Sequence, residues 1–261
     1  MGLKVVIVGG SAGGASAAAR LRRLNEDAEI IVFERGGYIS YANCGLPYYI
    51  GEVIKEKSKL LVQTPENMKK RFNLDVRVNT EVTRIFPDRK CVEVYDRVQD
   101  KKYTETYDKL ILSPGAEPVK HGFCEDACAR VFTLRNIPDT YKIKEYVDAA
   151  KPRRAVVVGA GFIGLEITEN LHQMGVKVTI VELADHVIGP LDYEMAAIVH
   201  QHLKSKNVEF YLNDAVKTAV DNGTCMDLDL TCGKALKADM IIWGIGVRPE
   251  LKLASDAGLK V

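Results

Sequence analysis

The apolar positions of this chain fall into two runs of one plan. Val5-Val6-Ile7-Val8 and Ala155-Val156-Val157-Val158 are short unbroken apolar stretches. Runs of that length without alternation read as strands of a parallel sheet buried on both faces. Each is followed by a glycine-rich turn and a segment of helical pattern, SAGGASAAARLRR at residues 11–23 and GFIGLEITENL at residues 161–171. A second apolar run then ends in an acid, IIVFE at Glu34 and VTIVE at Glu182. LILSPG at residues 110–115 and IIWGIG at residues 241–246 close the two halves in matching fashion. Between these landmarks, EVIKEKSKLLVQTPENMKKRF (52–72) reads as loop and helix. VRVNTEVTRIFP (76–87) and KCVEVYDR (90–97) alternate as antiparallel strands do, and NIPDTYKIKEYVDAA (136–150) reads as a helix with Asp139 or Thr140 near its start.

Glycines after a parallel strand let the backbone turn tightly and approach a pyrophosphate, which the next helix meets with its N-terminal N–H groups. An acid about 20 residues on accepts from a ribose diol. The second half carries the full G-x-G-x-x-G as Gly159, Gly161 and Gly164, with Glu182 as the acid. In the first half Gly9 and Gly14 hold the outer positions, Ser11 replaces the middle glycine, and Gly13 adds another beside Gly14. The expected fold class is α/β with two Rossmann-like dinucleotide-binding domains. Residues 1–115 are expected to form the first domain, 116–249 the second, and 250–261 the start of a return to the first.

Composition narrows the function classes. The 261 residues carry a formal charge of +1 and 47% hydrophobic content, which suits a soluble α/β protein and speaks against a nucleic-acid partner. No apolar stretch approaches the ~18 residues of a membrane span, and the N-terminus runs directly into a strand, so a cytoplasmic location is expected. None of the six cysteines forms a C-x-x-C pair. Cys124 and Cys128 read as incidental thiols, and no metal is expected.

Cys44 stands apart. It lies in SYANCGLPYYIG (40–51), before the aromatic pair Tyr48-Tyr49. If LPYYIG begins a helix, the helix dipole favours the reactive thiolate at Cys44. A buried structural cysteine is the competing reading, and residue chemistry alone leaves the two evenly balanced.

SYANCGLPYYIG, SAGGASAAARLRR, TLRNIPD, YDKLILSPGAEP, VVVGAGFIGLE and IGVRPE together resemble the flavoprotein pyridine nucleotide-disulfide oxidoreductases. The resemblance is to their single-cysteine branch: coenzyme A-disulfide reductase, persulfide reductase, NADH oxidase and peroxidase. Two-cysteine members carry C-x-x-x-x-C, whereas the position five after Cys44 is Tyr49. The resemblance implies FAD in the first domain and NAD(P)H in the second, NADH being favoured because Glu182 would repel a 2′-phosphate. Cys44 would be the catalytic thiol, forming a mixed disulfide with coenzyme A or, in the oxidases and peroxidases, a sulfenic acid. A nucleotide-binding fragment without catalysis is a further reading.

The cofactor-binding positions it implies are Gly9, Gly10, Ser11, Ala12, Gly13, Gly14, Glu34, Arg35, Asn43, Val82, Ser113 and Gly115 for one nucleotide. For the other they are Gly159, Gly161, Phe162, Ile163, Gly164, Glu166, Glu182 and Gly246. Phe162 matches the aromatic gate over the flavin, and Glu166 the acid near the nicotinamide. Ser16, Arg20, Arg23, Ser40, Asn43 and Arg71 match, or lie closest to, positions that contact coenzyme A; a solvated basic helix face is the alternative. The partner would be a small-molecule disulfide or persulfide. Family members are homodimeric and continue into a second FAD motif and a C-terminal dimerisation domain, both absent from these 261 residues.

Overall fold

The computed structural model describes residues 2–119 and 128–261; Cys124 lies outside them. The chain divides into two compact units. Met1–Ala42, Ser58–Glu117 and Pro249–Val261 form the first, and Asn43–Lys57 and Pro118–Arg248 the second. Segment 43–57 therefore departs from the sequence reading, which kept all of 1–115 together.

The first unit runs β1 (Lys4–Val8), α1 (Ala12–Leu24), β2 (Glu29–Phe33), α3 (Pro65–Phe72), β3 (Asp75–Arg77), β4 (Thr80–Phe86), β5 (Cys91–Asp96), β6 (Lys101–Thr106) and β7 (Lys109–Leu112). A parallel sheet in the order β3-β2-β1-β7 forms its centre. Both faces of that sheet are covered, which explains the unbroken apolar runs. Ala15 and Ala18 of α1 and Met68 of α3 join Val5, Ile7, Ile30 and Val32 in one cluster. Val82, Ile85, Val92 and Val94 of the antiparallel sheet β4-β5-β6 join Val6, Val8, Ile31 and Phe33 in another. The chain leaves this unit in β8 (Ala116–Pro118) and re-enters in β17 (Val247–Pro249). The last helix, α7 (Lys252–Asp256), adds Leu253 to the second cluster.

The second unit contains α2 (Leu46–Ile50), β9 (Val131–Phe132), α4 (Ile137–Ala150), β10 (Arg154–Val158), α5 (Phe162–Gln173), β11 (Lys177–Val181), α6 (Tyr193–Ser205), β12 (Glu209–Tyr211), β13 (Val216–Asp221), β14 (Met226–Leu230), β15 (Ala235–Ala238) and β16 (Met240–Trp243). Its parallel sheet has the order β12-β11-β10-β16-β9, and β13-β14-β15 forms an antiparallel sheet against one face. Segment 43–57 belongs here because of its packing. Tyr49 sets its ring 5.8 Å from that of Tyr141 on α4. A Cβ at Gly51 would overlap the Asn170 side chain on α5.

The two units repeat each other down to single hydrogen bonds. Gly9 N–H donates to Phe33 O and Gly159 N–H to Val181 O, both at 2.8 Å. The antiparallel sheets share a register shift at the same place, between Val82 and Arg84 and between Val216 and Thr218. One expectation is corrected. Residues 76–87 are not one antiparallel strand: β3 pairs parallel with β2, and a turn with Asn79 at φ 52° separates it from β4. The helix expected over 136–150 forms as α4 with Asp139 in its first turn, and Asn136 caps it, its side chain accepting from Asp139 N–H at 2.9 Å. β6 and the β13-β14-β15 sheet had no counterpart in the sequence reading.

Candidate functional site

Both glycine turns are built around forced backbone approaches. Gly9 and Gly159 each adopt φ +98°, a region that costs glycine little and other residues much. A Cβ at Gly9 would overlap the carbonyl oxygen of Ser113, and one at Gly159 that of Gly244. A Cβ at Gly14 or Gly164 would overlap the carbonyl of Gly9 or Gly159, so these glycines bring each helix onto its turn. Gly161 is different: a Cβ there meets nothing within 4 Å. Open space beside a helix start is what a phosphate requires of the middle glycine. α1 and α5 also begin with no side-chain cap and no acidic residue in the first turn. Their first N–H groups are thus left for an anion, whereas Thr64 and Asn136 cap α3 and α4.

The acids sit where the fingerprint needs them. Glu34 accepts from Gly10 N–H and Gly36 N–H, both at 2.8 Å. Glu182 accepts from Ala160 N–H at 2.5 Å and Ala184 N–H at 2.8 Å. Each carboxylate therefore pins its own turn. Behind each acid the chain enters the left-handed region, at Ser40 (φ 41°) and Ile188 (φ 51°). From there Ser40 N–H donates to Gly10 O at 3.0 Å and Ile188 N–H to Ala160 O at 2.9 Å. Gly10 and Ala160 are held on both sides of their peptide units. These turns fit a dinucleotide pyrophosphate in both units.

In the first unit, Ser11, Ala12 and Gly13 lie at the head of α1. Ser113 follows β7, with its N–H donating to Val8 O at 2.7 Å, and Gly115 turns at φ 81°. The Val82 side chain is buried in the core, opposite Val94 in the β4-β5 ladder. Arg35 is engaged by carboxylates, in contact with Glu117 and 3.7 Å from Glu250. Ser16, Arg20 and Arg23 form an exposed stripe along α1 at helical spacing. Arg71 is exposed on α3, over the Phe72 ring at 5.2 Å. Arg22, beside them in sequence, bonds carbonyls instead. Its guanidinium donates to Phe72 O at 2.9 Å, Asn73 O at 3.1 Å and Asn25 O at 3.3 Å, tying α1 to the end of α3.

In the second unit, Cys44 is exposed in a single 3₁₀ turn, Asn43–Gly45, that leads into α2. LPYYIG does begin a helix, but with only five residues α2 offers a small dipole. Position 49 is closed to disulfide chemistry twice over: it is a tyrosine, and it is buried. Tyr48 faces α5. Burial, followed by the nearby carboxylates of Glu169 and Glu166 and by Cys44, raises its phenol above the usual range. Burial and then Glu169 raise the Glu166 carboxyl, so Glu166 holds a proton more readily than a free glutamate. Phe162 is 61% exposed, so it does not pack beneath the turn; Ile163 beside it is 41% exposed. Gly246, at φ 111°, accepts from Val119 N–H at 2.9 Å.

Two histidines lie at the second turn, His186 close after Glu182 in sequence and His200 on α6, and only His200 escapes sequence reasoning. His186 has Asp185 Oδ1 at 2.5 Å from Nδ1 and Leu191 O at 3.0 Å from Nε2. Acceptors at both nitrogens favour the imidazolium, and its pKa is raised, chiefly by the bond to Asp185. His200 is buried on α6 and accepts at Nε2 from Val187 N–H at 3.2 Å. Nothing in the sequence marks it out, because a lone histidine on an apolar helix face has no spacing signature.

A family model described as pyridine nucleotide-disulphide oxidoreductase matches residues 3–261. The chain is 36% identical over 258 residues to coenzyme A disulfide reductase of Staphylococcus aureus, covering 99% of this chain and 57% of that protein. The crystal structure of reduced CoADR-RHD of Bacillus anthracis superposes with a TM-score of 0.96 at 53% identity, covering 100% of this chain and 47% of that one. The NAD-dependent persulfide reductase of A. fulgidus does so at 0.94 and 36% identity, covering 99% and 48%. The chain thus spans about half the length of the relatives it matches. With its two glycine turns, their paired acids and a match over nearly every residue, the chain belongs to the pyridine nucleotide-disulphide oxidoreductase family.

Proposed function

We propose that this chain carries the nucleotide-binding and thiol parts of an FAD-dependent NAD(P)H oxidoreductase that reduces coenzyme A disulfide or a persulfide. The observation that carries the reading is Cys44, an exposed thiol at the head of a helix whose position five residues on is a buried tyrosine. With no thiol at position 49 to pair with, Cys44 would exchange directly with its substrate. The Cys44 thiolate attacks one sulfur of the disulfide, forms the mixed disulfide and releases the other half as a thiolate. Two electrons and a proton then return the Cys44 thiolate and free the second thiol; the released thiolate takes up another proton, so one NAD(P)H and one H⁺ are consumed for each disulfide reduced to two thiols. Flavin, when bound, supplies the two-electron chemistry that links a nicotinamide to a disulfide.

The chain's residues bind, orient and hold protons. The turn of Gly9–Gly14 with Glu34 would hold the flavin nucleotide, and the turn of Gly159–Gly164 with Glu182 the nicotinamide nucleotide. The Glu182 charge favours NADH, since a carboxylate at the ribose repels a 2′-phosphate. Exposed Phe162 is free to move with the nicotinamide. The stripe Ser16, Arg20, Arg23, with Arg71 and Ser40 of the same unit, would take the phosphates of coenzyme A.

Mass spectrometry of Cys44 after treatment with coenzyme A disulfide tests this. A coenzyme A adduct on Cys44, absent in Cys44→Ser, is the expected result. An oxygen adduct in its place would favour oxidase or peroxidase chemistry through a sulfenic acid. No adduct at Cys44 would refute the thiol assignment.

A further inference from the structure

The second glycine turn is joined to a buried histidine through a strained loop. After Glu182 the chain runs over residues 185–191 and returns to α6. Val187 is fully buried, and its N–H is accepted by His200 Nε2 at 3.2 Å. The next residue, Ile188, is β-branched and held at φ 51°, where such side chains are strained. Its N–H donates to Ala160 O, and Ala160 N–H donates to Glu182. One line of hydrogen bonds thus runs from His200 through Val187 and Ile188 to the residue between Gly159 and Gly161.

The first unit has the same clamp without the histidine. Ser40 at φ 41° donates to Gly10 O, and Gly10 N–H donates to Glu34. All five histidines lie outside the residues of that unit.

We propose that His200 is a proton-sensitive latch on the second turn: neutral, it holds the loop 185–191 against Ala160, and protonated, it releases that loop and weakens dinucleotide binding. The inference rests on the reading of this turn as a nicotinamide-nucleotide site. An imidazole that accepts at Nε2 carries its single proton on Nδ1. Adding the second proton sets a donor against the Val187 donor in a dry setting and leaves a buried N–H unpaired.

The surroundings oppose that proton. Phe210 of β12 stacks on the ring at 5.3 Å, and Tyr193 of α6 meets it edge-on at 6.2 Å. Burial comes first in holding the His200 pKa below the usual 6.5, then Lys204 on the same helix and His186 on the loop. His186 holds its proton more readily than a free histidine because of its bond to Asp185. Because the folded value is depressed, the latch is fully closed above about pH 6.5 and opens as the pH falls below it.

Amide hydrogen exchange of the whole chain without ligand, corrected for intrinsic rates, reads the latch directly. Between pH 7.0 and 5.5, protection at residues 185–191 should fall severalfold more than at residues 36–43, the equivalent loop without a histidine, up to a one-proton limit of about eightfold. In His200→Gln, which keeps an acceptor but does not titrate, the difference should vanish. Should that variant fail to fold, NMR of the unmodified chain serves: the Val187 amide must titrate with His200. Equal loss of protection in both loops, or a Val187 amide that ignores His200, overturns the proposal.

NADH affinity over the same range separates the two readings. A dissociation constant that rises severalfold in step with the exchange supports the coupling. Acid-labile exchange with pH-independent NADH binding overturns the coupling. Absence of NADH binding at every pH, with the exchange behaviour intact, counts against the nucleotide assignment instead.

Discussion

Replacing Glu182 with alanine tests the claim that the acid after each second strand is structural as well as functional. Its carboxylate accepts two backbone N–H bonds, from Ala160 at 2.5 Å and from Ala184 at 2.8 Å. Hydrogen bonds to a charged group contribute about 1.5–3 kcal/mol each, and the partial exposure of Glu182 places the pair near the lower end. Glu182→Ala should therefore cost the second unit about 2–4 kcal/mol, and Glu182→Gln, which keeps one acceptor, roughly half. Trp243 is the chain's only tryptophan and lies buried in β16 of that unit, so its fluorescence reports this unit alone. With a urea slope of about 2 kcal/mol per molar, the Trp243 midpoint should fall by about 1–2 M. NADH affinity should fall as well, measured well below the denaturant transition. An unchanged midpoint with lost NADH binding would mean that the carboxylate serves only the ligand and that its two amide bonds contribute nothing.

Gly161→Ala and Gly164→Ala should separate binding from folding. The first adds a methyl into open space and should change the stability read from Trp243 by no more than about 1 kcal/mol, the helix-start cost being small, while weakening NADH; the second drives a Cβ into the Gly159 carbonyl and should destabilise the unit by more than 3 kcal/mol. Equal effects of the two on stability would refute the division of roles. Asp214 should shape the acid branch of stability. Burial works against its ionisation, but bonds from Cys232, Thr231 and Ala215 outweigh it and hold the pKa at about 2. A depressed carboxyl stabilises above about pH 4 and loses that contribution as the pH falls toward 2. Asp214→Asn should lower the melting temperature at pH 7 and flatten its fall between pH 4 and 2; parallel curves would count against the assignment.

The parts of the fold that could be read from the chain are those whose signal is local. Val5–Val8 and Ala155–Val158 announce buried parallel strands because both faces of each sheet are covered. Gly159, Gly161 and Gly164 announce a turn because no other residue fits two of the three positions. The parts that could not be read depend on partners distant in sequence. Segment 43–57 joins the second unit through Tyr49 on Tyr141 and Gly51 on Asn170, and nothing in SYANCGLPYYIG names those partners. Likewise Arg20, Arg22 and Arg23 look alike in sequence. Only Arg22 lies over the carbonyls that end α3, so only Arg22 is tied down. His200 has no motif at all, and its role follows from one backbone N–H of a loop that the sequence leaves unshaped.

The proposed function requires that the two turns hold two dinucleotides and that electrons pass from one to the other. The most direct measurement is the visible absorbance of the purified chain, reconstituted with FAD and titrated anaerobically with NADH. The account predicts a bound flavin band near one equivalent per chain that bleaches with NADH, and fails to bleach in Glu182→Ala at the same NADH concentration. A chain that binds NADH but takes up no flavin, or a bound flavin that NADH leaves oxidised, would contradict it.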